Sequence, residues 1–292
     1  MLKIIEKSKI WFGISLAIII FGMIYLGVHK LNLGIDFTGG STITIDMGKK
    51  FNKEDVEPTI QKYAPDEISN VVNTTQLEID SNKLTQDKVT NMVKELKDKY
   101  KLPDKAIVNQ STISSSIGTE LKVKAIEALA VATIIILGYI AFRFKDWRFG
   151  IAAVIALIHD VLITLSVYAI FQVPVNSPFI AAMLTITGYS ICDTVVIFDR
   201  IRENQRTFRG KEIIDIADIS ITQSITRSMN TVFTVLTMLS AVYFIVDVPT
   251  IKEFTFPLII GIFSGAYSSI CIASPLWVLF KRVKKKKTAK LA

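Results

Sequence analysis

Three stretches of this 292-residue chain, 10–28, 228–246 and 254–280, contain no Asp, Glu, Lys or Arg and are mostly apolar. A helix of 18 or more such residues is long enough to cross a hydrocarbon core of about 30 Å. Half of the chain is hydrophobic and the mean hydropathy is +0.43, yet 21% of the residues are charged. The two populations are segregated along the sequence. That pattern belongs to a polytopic membrane protein and excludes a soluble enzyme, a disordered chain and a secreted disulfide scaffold. The two cysteines, Cys192 and Cys271, both fall in apolar runs and read as packing residues rather than a bridge. The net charge of +8 is concentrated at the ends of the apolar spans, where it sets topology and does not point to nucleic acid.

Six spans are expected, at about 10–28, 124–142, 149–171, 177–198, 228–246 and 254–280. The first is too long, and its flanks too poor in small-residue cleavage signals, for a removable signal peptide. Lys3, Lys7 and Lys9 precede it; Arg143, Lys145 and Arg148 follow the second span. Arg200, Arg202, Arg206, Arg209, Lys211 and Arg227 lie between the fourth and fifth, and the tail 281–292 is strongly basic. The opposite loops are 172–176, with no charge, and 247–253, with Lys252 as its one cation. The positive-inside rule then puts both termini in the cytoplasm and the chain in a cell membrane. The run Lys284–Lys287 suits contact with anionic membrane lipid, although a topology anchor is the simpler reading.

Residues 29–123 form one long outside segment with 13 Lys, no Arg and 14 acidic residues. The domain plan is therefore a tail and first span over 1–28, an outside domain over 29–123, the rest of the bundle over 124–280 and a basic tail over 281–292. Within the outside domain, Ser41–Met47 alternates as a strand. Asn52 precedes a helix over about 53–63, residues 67–80 suggest two strands joined near Asn73-Thr74, and Thr85 precedes a helix over 86–100. A last strand runs over 105–112. The order β-α-β-β-α-β is a ferredoxin-like α+β domain. It carries no metal-ligand cluster and no nucleophile, and Asn73-Thr74-Thr75 is a sequon of the kind that arises by chance.

The informative residues are charges that a bilayer resists. His159 and Asp160 lie mid-way along the third span, Asp193 lies in the fourth, and Arg227 opens the fifth above a stripe of Asn230, Thr231, Thr234 and Thr237. A charge at the bilayer centre costs at least about 2.5–3.5 kcal/mol, so such residues line bundle interiors and ion or proton paths. Each has a plainer reading. Asp193 would be an inert packing device bonded to Ser190 and Thr194, and Arg227 a positive-inside anchor. His159 and Asp160 point about 100° apart and are not expected to line one narrow face together. Glu127 is interfacial, while Asp199, Arg200, Arg202 and Glu203 continue the fourth helix as a solvated cluster.

No catalytic residue, cofactor or metal is expected. There is no G-x-x-x-x-G-K-[ST] for nucleotide phosphates and no H-E-x-x-H for zinc. Gly261-Ile-Phe-Ser-Gly265 sets its serine one place off G-x-S-x-G. Asp160 and Asp193 on neighbouring spans raise an intramembrane aspartyl protease, whose carboxylates share a proton, but the G-x-G-D context is missing.

At Gly34-Ile-Asp-Phe-Thr-Gly-Gly40 the sequence resembles the SecD/SecF family, accessory subunits of the bacterial protein-export channel within the resistance-nodulation-division superfamily. The resemblance continues through Ala156-Leu-Ile-His-Asp-Val161, Gly188-Tyr-Ser-Ile-Cys-Asp-Thr-Val-Val-Ile-Phe-Asp-Arg-Ile-Arg-Glu203 and Ser224-Ile-Thr-Arg-Ser228, and so covers essentially the whole chain. The Phe-Thr form of the heptad and the 95-residue outside segment resemble the smaller member of the pair. Cys192 is a departure, since many relatives carry a polar residue such as Asn before the aspartate.

The resemblance implies a complex with SecD and the SecYEG channel that uses the proton gradient to pull a translocating unfolded polypeptide outward. No nucleic acid is implied. Asp193 and Arg227 match the family's intramembrane charge pair. The carboxylate would carry the proton and the guanidinium would stabilise its charged form, with Asp193 facing Arg227 or its polar stripe. Asp160 and His159 are the next proton-relay candidates. In the junction motif, Gly34, Gly39 and Gly40 would give backbone freedom beside Phe37 and Thr38, and Asp36 would hold a local hydrogen bond; the alternative is a tight turn packed on the bundle. Two rival functions remain: half of a proton-driven exporter of small molecules or lipids, and a non-conducting scaffold of the export channel.

Overall fold

The computed structural model describes residues 2–65, 68–72, 74–103, 106–144 and 146–289. Lys145, Asn73 and its sequon, and Lys290 lie outside the described residues, as do the side chains of Lys284–Lys287. The chain forms α1 (Ser8–His29), a short α2 (Ile35–Thr38), the outside domain, and then the remaining long helices. The outside domain consists of β1 (Gly40–Asp46), α3 (Lys53–Gln61), β2 (Ile68–Val72), β3 (Gln76–Ser81), α4 (Gln86–Tyr100) and β4 (Ile107–Ile113). The bundle continues with α5 (Ser115–Arg143), α6 (Trp147–Phe171), α7 (Ser177–Thr207), α8 (Ile213–Ile245), α9 (Pro249–Ser268), a π-turn over Ser269–Ala273, and α10 (Ser274–Ala289).

The outside sheet is antiparallel in the order β2-β3-β1-β4, the ferredoxin-like arrangement expected. Strand alternation explains its core. Ile43 and Ile45 of β1 and Leu77 and Ile79 of β3 are fully buried on one face, against Val56, Ile60, Val89, Met92 and Leu96 of the two helices. Each such side chain contributes about 1.5–3 kcal/mol of apolar burial. The other face of β3 carries Glu78 and Asp80. Asn52 caps α3 as expected, accepting from the Glu54 N–H at 3.4 Å. Thr85 occupies the N-cap position of α4, but its side chain makes no cap bond.

Six helices are long and apolar enough to cross a membrane. The sixth is mostly buried in the bundle, whereas the first, second and fifth expose most of their length. Several bounds exceed those the charge pattern suggests, because helices continue past the hydrocarbon boundary. The largest extension is α8. Residues 213–227, which charge counting leaves in a cytoplasmic loop, form an amphipathic helix that buries Ile216, Ala217, Asp218, Ser220, Ile221 and Ser224. Asp218 Oδ1 accepts the backbone N–H groups of Ile4 and Ile5 at 3.0 and 3.1 Å, so this segment docks the N-terminal tail. The C-terminal end of α7 is partly packed rather than fully solvated: Asp199 pairs with Arg143 and Arg202, and Asn204 donates to Ser220 Oγ at 2.8 Å.

Glycines set the helix spacing. A Cβ on Gly261 would lie 2.3 Å from Ile186 Cδ1, and one on Gly265 would lie 3.1 Å from Ser190 Cβ. These two residues bring α9 hard against α7, the small-residue packing that membrane helices use in place of a hydrophobic driving force. The failed serine-hydrolase spacing at Gly261–Gly265 thus has a packing explanation.

The junction motif is a helical turn wedged into the bundle. Phe37 is buried among Tyr168, Phe179 and Ile186. Gly39 has φ +79°, and a Cβ there would lie 2.8 Å from Ser115 Cα. Asp36 does not make the local bond expected of it. Its Oδ2 accepts the Ser177 N–H at 2.8 Å and so holds the start of α7. Leu33 and Val175 form a one-pair parallel bridge beside it, with Gly34 N donating to Val175 O at 2.9 Å and Val175 N to Asn32 O at 2.8 Å. Gly39→Ala combines a strained φ with a backbone clash, whereas Gly48→Ala meets only the strained φ, having no atom near its Cβ. Gly39→Ala is expected to cost at least about 1–3 kcal/mol and to lower the thermal midpoint of the purified protein clearly more than Gly48→Ala. Equal shifts would remove the close approach as the reason for the glycine.

Candidate functional site

Asp160 lies in the middle of α6 and is fully buried. A carboxylate in such a place needs a hydrogen bond at each lone-pair direction. It receives Ser264 Oγ at 2.7 Å and approaches His159 Nδ1 at 3.1 Å through Oδ1. Oδ2 receives Ser190 Oγ at 2.6 Å and Ser268 Oγ at 2.8 Å. Ser190 comes from α7, and Ser264 and Ser268 stand one turn apart on α9. The close α7–α9 packing at Gly265 lets all three hydroxyls reach one carboxylate.

His159 turns the other way. Its Nε2 lies 2.9 Å from Ser15 Oγ on α1, Ser15 Oγ lies 3.1 Å from Tyr267 Oη, and Tyr267 donates to Trp11 O at 2.8 Å. The 100° separation of neighbouring residues holds, since His159 serves α1 while Asp160 serves α7 and α9. The expectation that the two act apart does not hold, because the imidazole reaches sideways to Asp160. An apolar cavity of about 480 Å³ between α1, α6, α8 and α9 ends on Ser15, His159 and Tyr267.

The proton count of this chain is informative. Ser15 has one hydroxyl proton. When it donates to Tyr267, Nε2 must carry the proton of the His159–Ser15 bond. When it turns to Nε2, the ring can be neutral, with Nδ1–H directed at Asp160. One added proton is therefore accommodated by rotating one hydroxyl, with no bond lost at Asp160.

Asp193 is held differently. It is half-buried on α7, Oδ1 accepts Ser228 Oγ from α8 at 2.5 Å, and Oδ2 is buried with no hydrogen-bond partner. The packing partners suggested by the sequence are engaged elsewhere: Ser190 bonds Asp160, and Thr194 bonds Ser269 of the π-turn at 2.8 Å. Arg227 precedes Ser228 but makes no ion pair with Asp193 among the described residues. It is exposed and lines a polar cavity of about 370 Å³ with Val196, Asp199, Arg200, Glu203, Gln223 and Ser224. Cys192 is exposed beside Asp193. Asn230, Thr231, Thr234 and Thr237 are all exposed along α8, and each threonine hydroxyl bonds the carbonyl four residues back.

Asp160 and Asp193 are joined by no hydrogen bond among the described residues, so they do not form the shared-proton dyad of an aspartyl protease. Among the described residues no group of three or more His, Cys, Asp or Glu is arranged to hold a metal ion. Sequence reasoning missed Ser15, Ser190's true partner, Ser228, Ser264, Tyr267 and Ser268. A legible signal existed for two of them, since Ser264 and Ser268 are four apart in a charge-free span beside Gly261 and Gly265. The π-turn after Ser268 adds a hydroxyl, Ser269, at the same level; such turns concentrate at functional sites.

These geometries set unequal costs for removing the two carboxylates. Asp160→Ala strands three hydroxyls and an imidazole, at about 1–3 kcal/mol for each buried group left unsatisfied. Asp193→Ala strands Ser228 and removes a neighbour of Ser269, which keeps its bond to Thr194. The thermal midpoint of detergent-purified protein is therefore expected to fall much further for Asp160→Ala, and comparable losses would contradict this hydrogen-bond assignment.

The C-terminal family model described as protein export membrane protein SecD/SecF matches residues 91–283, and the SecD/SecF GG motif matches residues 24–50. The protein translocase subunit SecF of Sebaldella termitidis is 36% identical over 97% of this chain and 93% of its own. The protein translocase subunit SecDF of Bacillus subtilis is 34% identical over 94% of this chain, which spans 38% of that longer protein. The crystal structure of SecDF, a translocon-associated membrane protein from Thermus thermophilus, superposes with a TM-score of 0.83 and 28% identity, covering 96% of this chain and 39% of that one.

Proposed function

The chain belongs to the SecD/SecF family of protein-export membrane proteins, and we propose that Asp193 is the group through which it couples the proton gradient to export. It is a multi-pass membrane protein and an accessory subunit of the Sec protein-export machinery. Export of small molecules or lipids is not favoured.

The carrying observation is the contrast between the two buried carboxylates. Asp160 is bonded by three hydroxyls and an imidazole, whereas Asp193 accepts one close hydroxyl, from Ser228, has Ser269 as a looser neighbour, and keeps Oδ2 without a close donor. A carboxylate so held can gain a proton on Oδ2 without breaking a bond. It sits at the α7–α8 contact, and the polar cavity that Arg227 lines begins at Val196, about one turn along α7, the side from which the proton would reach it. Arg227 acts there through its charge, since it makes no forked contact with Asp193.

The His159–Asp160–Ser15–Tyr267 chain supports a second reading, a proton site deeper in the bundle. The unbroken hydrogen-bond chain from Asp160 through His159, Ser15 and Tyr267 to Trp11 is the specific observation in its favour. In either case Gly34–Gly40 transmits the change, because Asp36 binds the start of α7 and Phe37 is packed in the bundle.

The partner that fits is a homologous six-helix chain, SecD. The exposed stripe Arg227, Asn230, Thr231, Thr234 and Thr237 is costly against lipid, and it runs down a helix that the bundle leaves mostly uncovered. The SecDF relatives, in which this chain matches 38–39% of a longer protein, support a joined arrangement of this kind. The complex would meet the SecYEG channel and the translocating unfolded chain on the outside.

The charge pattern puts both termini in the cytoplasm. Single cysteines at Lys97 and Arg206, in a background free of Cys192 and Cys271, should be labelled from opposite sides of the membrane; labelling from one side would sink the topology.

The test of the proton step is export into energised inverted membrane vesicles, with and without an uncoupler. Asp193→Asn should leave the complex assembled and abolish the uncoupler-sensitive increment. Arg227→Lys should keep most of it and Arg227→Ala should lose it, as expected when charge alone is needed. A full increment in the Asp193→Asn complex would make Asp193 structural and move the proton path to His159 and Asp160.

A further inference from the structure

Four carboxylates from three elements face one another where the outside domain meets the bundle. They are Asp36 on α2, Glu78 and Asp80 on β3, and Glu253 on α9. Glu253 feels the charges of Asp80, Asp36 and Glu78; Glu78 feels Asp80, and Asp80 feels Asp36. Tyr168 approaches Glu253 from α6. Among the described residues no cation pairs with any of the four, and the ammonium of Lys252, adjacent to Glu253, is bound to Asp247 at 2.7 Å.

The polar contacts at this seam are specific. Thr42 Oγ1 donates to Asp80 Oδ1 at 2.5 Å, and the Ser177 N–H donates to Asp36 Oδ2 at 2.8 Å. Asn176 Nδ2 donates to Glu253 Oε1 at 2.8 Å. Asn176 is 8% exposed, and its Oδ1 is buried with no hydrogen-bond partner. It lines a small polar cavity of about 50 Å³ with Asn32, Asp80, Ser81 and Asn82. Gly34 fixes its place, since a Cβ there would lie 1.7 Å from Asn176 Oδ1. The seam therefore combines unneutralised acids with a buried acceptor that has nothing to accept. Both features call for donors.

We propose that the seam is a proton-binding site, at which protons taken up by Glu78, Asp80 and Glu253 hold the outside domain closed against the bundle. The carboxylates are not grouped for a metal ion among the described residues, and like charges gathered at one partly buried seam raise one another's affinity for protons. Asp80 lines the same small cavity as Asn176, so its protonated form would bring an O–H to the side of the unpartnered Oδ1. Burial, and then the Asp80 charge, push Glu78 up to about 7; burial likewise raises Asp80. Groups that bind protons more tightly in the closed seam than in an open, hydrated one favour closure in acid. That contribution is complete below the ordinary carboxylate range and is lost as pH rises through about 7. The proton-rich side of an energised membrane is the outside, where this seam lies in the proposed topology. The site extends the proton-coupled reading of the bundle, but its test measures a distance and not export, so either can fail without the other.

The experiment places spin labels at Lys94→Cys on the outside domain and Thr250→Cys on the bundle. It uses the full chain with Cys192→Ser and Cys271→Ala, reconstituted with its SecD partner in lipid nanodiscs. Pulsed dipolar distances should lengthen as pH rises from about 5 to about 8. Glu78→Gln should reduce the amplitude of that change. The combined Glu78→Gln, Asp80→Asn and Glu253→Gln protein should stay at the short distance throughout; if it does not assemble, the single variant decides. A distance independent of pH, or a Glu78→Gln protein that follows the parent chain, would overturn the proposal. Restoration of the short distance at pH 8 by sodium in place of choline would overturn it too, in favour of a metal cation.

Discussion

The bundle is organised around one buried charge. Asp160 has no access to water, and an unsolvated carboxylate inside a membrane protein is tolerable only with close to full hydrogen bonding. Its donors come from α7 and α9, and His159 extends the demand to α1 through Ser15. Four helices are thus tied at one level of the membrane by a single side chain. The glycines follow from this requirement. Ser190 and Ser264 can meet the same carboxylate because Gly261 and Gly265 let α9 lie against α7 with no side chain between them. Apolar packing alone would leave the relative height of these helices poorly fixed, since lipid tails solvate Leu as well as a neighbouring helix does.

Asp193 lies on the same face region of α7, one turn from Ser190, yet its circumstances differ in kind. It stands where α7 meets α8, near the exposed polar stripe and next to exposed Cys192. Its one bond is to a serine on a helix that is itself mostly uncovered. A saturated carboxylate fixes structure, while an under-bonded one at an incomplete interface has room for a changing proton inventory. The two acids therefore separate by environment into a fixed anchor and a variable site. The variable one lies where a second chain would complete the surface.

The spans, the ferredoxin-like domain and its strand order were legible in the sequence because each rests on local periodicity. Uncharged runs mark α1, α8 and α9, and alternation marks β1. What was not legible depends on packing. Residues 213–227 look like a charged loop because Asp218 and Arg227 dilute the apolar signal, although Asp218 is buried by capping the N-terminal tail. His159 and Asp160 were visible as misplaced polar residues, but no spacing rule shows that an imidazole bridges sideways to its neighbour. The family resemblance implies that Asp193 faces Arg227 or the polar stripe below it. The structure puts Ser228 there, since on a helix only one of two adjacent residues can face a given neighbour. A local hydrogen bond is the sequence expectation for Asp36; its partner, Ser177, is 141 positions away.

Two helices, α7 and α9, span from the junction to the buried acids, α9 with Pro257 one turn past Glu253. Asp36 holds the N-terminus of α7 at Ser177, and Asp193 lies 193 − 177 = 16 residues along the same helix, about 24 Å at 1.5 Å per residue. Glu253, bonded to Asn176, stands near the start of α9, which carries Ser264 and Ser268 to Asp160. The junction thus enters α7 through Asp36, and Asn176 ties the start of α7 to α9, the helix packed against it at Gly261 and Gly265. A helix transmits displacement along its axis well and cannot absorb it by stretching. A shift of α7 by a fraction of a turn would be opposed at Asp160, where three serines and His159 hold the level. It would be felt at Asp193, where one bond to Ser228 is all that yields. In the proposed proton step, tight anchoring at Asp160 and looser holding at Asp193 are the asymmetry that coupling a proton in the bundle to movement of the outside domain requires.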